Sequence, residues 1–125
     1  MSEHVVADRG VPPGYELLGP TDQETVRGLV LRGADMRRPQ HVFHSLLFPS
    51  APASEGARKA AETAGWQVSI TDPDGAEGAE ERWKVTCEKQ EYVLLARLIH
   101  ADTQFFDRLA RTGGGENDGW DASVS

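Results

Sequence analysis

With 125 residues, 38% hydrophobic and 26% charged, the chain has room for one domain around one core. Its 20 acidic against 13 basic residues give a net charge of −7, which repels a phosphate backbone and argues against direct nucleic-acid binding. No apolar run approaches the roughly 20 residues of a membrane span, no secretory signal opens the chain, and the single cysteine, Cys87, fits a reducing cytoplasm.

Residues 1–20 carry Pro12, Pro13, Gly14, Gly19 and Pro20 without apolar periodicity and read as a flexible tail. Thr21 and Glu24 stand at capping-box spacing, which predicts a short helix with Val26, Leu29 and Val30 as its apolar stripe. Gly33 offers a stop, and Pro39 disfavours helix at Arg38, so residues 21–39 form a leading helix and linker. The domain proper is expected over residues 40–125. Its first element is the strand HVFHSLLFP at 41–49, with apolar groups on both faces as an interior strand requires.

Residues 52–64 read as a helix with an alanine face (Ala53, Ala57, Ala60, Ala61, Ala64), stopped by Gly65. Trp66, Val68 and Ile70 alternate with polar residues, as do Trp83, Val85 and Cys87, which predicts a hairpin around the loop at 72–81. From Gln90 to Ala96 the pattern fits either a longer strand or a helix start. Leu98, Ile99, Asp102, Phe105, Phe106 and Leu109 then share one helical face. Gly113–Gly115 end that helix, and an Asp-Gly turn leads into a last strand through Trp120, Ala122 and Val124. The order β-α-β-β-α-β is the ferredoxin-like split arrangement. It is an α+β sandwich with an antiparallel sheet and two helices on one face, preceded here by the short N-terminal helix.

Chemistry-bearing residues are sparse. His41 and His44 point to opposite faces of a strand, and neither His4 nor His100 has a ligand neighbour, so no metal is expected. His44, on an apolar face, reads as a core histidine with a hydrogen-bond partner. Cys87 is flanked by Glu88, the wrong setting for a reactive thiolate, and reads as a small buried hydrophobe. The Gly113–Gly119 run lacks the Lys-Ser/Thr of a phosphate loop and follows a helix rather than a strand. No nucleophile, base and oxyanion donor come together, so neither catalytic residues nor a cofactor are expected.

Two features fit a protein partner. Asp72, Asp74, Glu77, Glu80 and Glu81 form an acidic cluster suited to a basic surface, although a solvated loop is the ordinary meaning of such a run. Trp120 reads as core, yet exposed on a short strand it would be an interaction anchor, with Gly119 allowing close approach.

The C-terminal Asp118-Gly119-Trp120 after an amphipathic helix, together with the AxxAGWQV join at 61–68, resembles the RraB family of ribonuclease E inhibitors, regulators of ribonuclease activity B. The resemblance covers about residues 24–125, with Asn117 where that family usually has Tyr. It implies the ferredoxin-like fold and a non-catalytic protein-interaction role. The partner it implies is ribonuclease E or a related RNA-decay component, with Asp118, Gly119 and Trp120 joining the acidic cluster as contact residues. The alternative reading is a small-molecule sensing domain with its ligand at a dimer interface or on the open sheet face.

Overall fold

Residues 10–73 and 82–123 are described by the structure, a computed structural model. A 3-10 turn at Tyr15–Leu17 precedes helix α1 (Pro20–Leu31) and strand β1 (Gln40–Phe48). Helix α2 (Ala51–Thr63), strands β2 (Gln67–Thr71) and β3 (Trp83–Tyr92), helix α3 (Ala96–Thr112) and strand β4 (Glu116–Ser123) follow. The chain is therefore α+β, with one four-stranded sheet in the order β2-β3-β1-β4. All three strand pairings are antiparallel, so β1 and β2 run the same way with β3 between them.

Local chemistry accounts for the element ends. Ser50 caps α2 by accepting from the Ala53 amide at 3.3 Å, and Pro52 sits in the first turn, where its missing N–H costs nothing. Gly65 stops α2 in the left-handed region (φ 97°), and the Trp66 amide returns to the Ala61 carbonyl. The predicted capping box at Thr21 does not form. Helix α1 begins one residue earlier with Pro20 in its first turn and Gly19 at the cap, and that cap makes no side-chain hydrogen bond. The ambiguous stretch after Gln90 resolves as strand to Tyr92, then a short connection, then helix from Ala96.

One face of the sheet holds the core. Val42, His44, Leu46 and Phe48 of β1 alternate inward, joined by Val85 and Cys87 of β3. At one end they pack against Ala57 and Ala61 of α2 and Phe106 and Ala110 of α3. At the other, Val26 and Leu29 of α1 pack with Val42, Leu94, Ile99 and Ala122. All three helices thus cover the same face. The tail expected over residues 1–20 is packed from the described start onward, because Tyr15 and Leu18 are buried in that second cluster. The Tyr15 hydroxyl also donates to the Gln23 carbonyl, and Gln23 Nε2 donates to the Leu18 carbonyl at 2.8 Å. Residues 1–9 lie outside the described residues.

His44 departs from expectation. It is 3% exposed and stacks on Phe106 with ring centroids 4.3 Å apart, yet its Nδ1 has no hydrogen-bond partner among the described residues. Burial, and secondarily the Lys89 ammonium, push its pKa down to about 3 from 6.5. The imidazole is neutral in the fold, while the unfolded chain takes up a proton there below its ordinary pKa. Stability present at neutral pH is therefore lost as pH falls from 6.5 towards about 3.

Between pH 7 and 5, urea unfolding should show a loss on the order of 2 kcal/mol that His44→Phe removes; equal losses in both proteins would clear His44 of the effect. A methyl group at Gly115 would run into the Leu47 carbonyl oxygen. Gly115→Ala should therefore cost about 1–3 kcal/mol in the same assay, and an unchanged midpoint would refute the close approach of β4 to β1 there.

Candidate protein-interaction site

The Asp-Gly-Trp segment forms a built corner. Along the β1/β4 ladder Ser45 pairs with Gly119 and Leu46 with Asn117, so Asp118 is the extra residue of a β-bulge. Gly119 takes φ 100°, a region that penalises any side chain. Asn117 holds the bulge from both ends of its amide. Its Oδ1 accepts from the Gly119 amide at 2.9 Å, and its Nδ2 donates to Asp107 of α3 at 2.8 Å.

Beyond the bulge, Trp120 lies opposite His44, with the two rings stacked at 6.0 Å. The indole Nε1 donates to Asp22 Oδ1 at 2.9 Å, and the Thr103 hydroxyl donates to Asp22 Oδ2 at 2.8 Å. Asp22 is only 6% exposed. A carboxylate so buried is tolerable because both oxygens are satisfied, and each bond to it is worth more than one between neutral groups. Asp22 thereby joins α1, α3 and β4.

Of the acidic residues predicted as a contact surface, Asp72 and Asp118 lie on different edges of the sheet. Asp72 is exposed just past β2, whereas Asp118 is exposed on β4, at the opposite edge with β3 and β1 between them. Asp74, Glu77, Glu80 and Glu81 lie outside the described residues. Asp118 has company of its own. Glu116 pairs with Arg82 at 2.7 Å, Asp121 pairs with Arg32 at 2.8 Å, and Asp107 stands exposed on α3 beside Asn117. Gly119 and Trp120 are half-buried, Trp120 packed against the α1 cluster rather than standing clear as an anchor.

A second polar group lies where sequence reasoning did not look. Lys89 lies level with the inward-facing Val42, and its ammonium sits 4.5 Å from the Trp66 ring and 5.1 Å from Tyr92. The Tyr92 hydroxyl donates to Asp102 at 2.6 Å. Burial raises the pKa of both Tyr92 and Asp102, and pushes the Cys87 thiol up to about 12. All three are packed side chains, shifted chiefly by their burial. Among the described residues no cluster of His, Cys, Asp or Glu is placed to hold a metal ion, and no helix is long and apolar enough to cross a membrane.

The family model described as "Regulator of ribonuclease activity B" matches residues 21–122. The chain belongs to the RraB family. No curated protein matches it. The matched span runs from the first turn of α1 to Ala122, so an RraB domain here includes the leading helix, Asp22, Thr103 and the whole bulge. Sequence reasoning found the Asp-Gly-Trp segment but missed Asp22 and Thr103. Asp22 looks like an ordinary first-turn acid, and nothing local links it to a tryptophan 98 positions away.

A double-mutant cycle tests the corner. Trp120→Phe and Asp22→Asn should each destabilise by about 1–3 kcal/mol, and the pair should lose less than the sum by about 1 kcal/mol. Strict additivity would show that the indole and the carboxylate do not interact.

Proposed function

We propose that this chain is a non-catalytic regulator that binds an RNA-degrading enzyme, ribonuclease E or a related decay component, and lowers its activity. Membership of the RraB family over residues 21–122 carries the reading. The fold that goes with it is the ferredoxin-like βαββαβ sandwich, a reading supported by the β2-β3-β1-β4 order and helices on one face. The setting is the cytoplasm, in keeping with the lone, buried Cys87. The absence of catalysis is supported by where the perturbed groups lie: His44, Cys87, Tyr92 and Asp102 have pKa values moved chiefly by burial in the core.

The contact surface is acidic and takes a basic tract of the partner. Asp72, with Asp74, Glu77, Glu80 and Glu81 of the following connection, supplies most of its charge, and Glu116 lies at the same end of the sheet. Asp118 adds a carboxylate at the crest of the bulge. Gly119 and Trp120 serve this surface by setting the bulge and holding it against Asp22. Steering of this kind speeds encounter and weakens with salt.

A second reading has one observation behind it. An open groove of about 550 Å³ lies between the 3-10 turn and the start of α3, lined by Leu17, Leu18, Leu95, Arg97 and His100 among others. Its size and apolar lining suit a small amphiphile. It lies neither at β2 nor on the open sheet face.

Purified protein should slow cleavage of a model RNA by ribonuclease E in proportion to complex formed. Charge reversal at Glu77, Glu80 and Glu81 should weaken binding roughly tenfold at low salt. Full ribonuclease activity at saturating protein would overturn the regulatory reading, and unchanged affinity in the reversed variant would remove the acidic connection from the interface.

A further inference from the structure

The two edges of the sheet are built differently. Along β4 the bulge interrupts the strand, and the side chains of Asn117 and Asp121 take up the amides of Gly119 and Ala122. Glu116, Asp118 and Asp121 charge the same edge. Bulges, charges and capped amides all discourage a further strand. Edge strand β2 carries none of these devices. Gln67-Val68-Ser69-Ile70-Thr71 has no charge and no proline, three of its five residues are β-branched, and its ladder with β3 is regular. Among the described residues no backbone hydrogen bond reaches β2 from outside that ladder.

We propose that β2 pairs with β2 of a second copy of this chain, antiparallel about a two-fold axis at Ser69, to give a continuous eight-stranded sheet. The strand is complementary to its own image in this register. Val68 falls opposite Ile70 on the helix-covered side, while Gln67 falls opposite Thr71, and Ser69 opposite Ser69, on the open side. No like charges meet along the five paired residues. At either end, Asp72 of one copy comes level with Trp66 of the other, where the Lys89 ammonium lies over the indole. The α2 helices also fit, because each spreads over β2, β3 and β1. Two such helices across a β2–β2 seam stand at least ~10 Å apart, the normal spacing of packed helices. A foreign strand would also find hydrogen bonds here, but the neutral, two-fold-complementary pattern favours the chain itself. This dimer does not rest on the ribonuclease reading; it places Asp72 at the end of the seam and leaves the β4 edge and Asp118 uncovered.

Five-residue pairing buries less than a standard interface, so association is weak and is best followed by sedimentation equilibrium from about 5 to 500 µM. The intact protein should move from its 13.6 kDa monomer towards twice that mass. Ser69 is exposed, so Ser69→Lys and Ser69→Glu should fold, with unchanged circular dichroism and thermal midpoint in dilute solution. Each variant alone should dimerise at least tenfold more weakly, since like charges then face each other at the axis. Mixing the two should restore a dimer. A wild-type protein that stays monomeric throughout would overturn the proposal, as would variants that dimerise as well as wild type, or a mixture no stronger than either variant alone.

Discussion

The structure depends on one buried carboxylate. Asp22 accepts from the Trp120 indole and the Thr103 hydroxyl, and through these two bonds the leading helix, the last strand and the long helix share one anchor. A carboxylate taken out of water is costly unless its oxygens are met, so Asp22 stabilises the corner only when all three elements are in place. The bulge at Asp118-Gly119 follows from this arrangement. It changes the stagger of β4 just before Trp120, and the indole then reaches the helix-covered side of the sheet. Asn117 does for this chain what the corner needs at that position, holding both the Gly119 amide and Asp107.

Much of the fold was legible because its signals are local. The alternation in 41–48, the Ser50 cap, the alanine face of α2 and the glycine stop at Gly65 each specify their element without help from elsewhere. Legibility failed where tertiary contacts decided. Pro20 rather than Thr21 starts α1, and residues 10–19 pack because Tyr15 and Leu18 find a cluster that only the folded sheet provides. Glu91, a non-glycine residue at φ 52°, lies in the register shift between the Gln40–Tyr92 and Val42–Lys89 pairs, a conformation no periodicity announces. His44 was placed correctly in the core, but its Nδ1 is unpartnered among the described residues where the ring packs on Trp66, Phe106 and Trp120.

For the candidate site, the sequence gathered eight residues, of which the four described ones fall on two edges. Asp72 belongs to the β2 side, and Asp118 to Trp120 to the β4 side. Within the second group the fold divides the roles. Asp118 meets solvent, Gly119 shapes the backbone, and Trp120 is spent on holding Asp22. The conspicuous aromatic of the family-like signature therefore serves the architecture, and the exposed side chain of the segment is the Asp118 carboxylate. This division agrees with a regulator that works by docking rather than by chemistry, since rigid placement of a few carboxylates is all such a role requires.

The central claim is that the leading helix and the sheet form one cooperative unit through the Asp22 corner. Native-state hydrogen exchange tests it most directly. The amides of Val26, Leu29 and Val30 should open only with those of Val42, Leu46 and Val85, at the free energy of global unfolding. Exchange of the α1 amides through a separate, lower-energy opening, with the sheet still protected, would contradict the account.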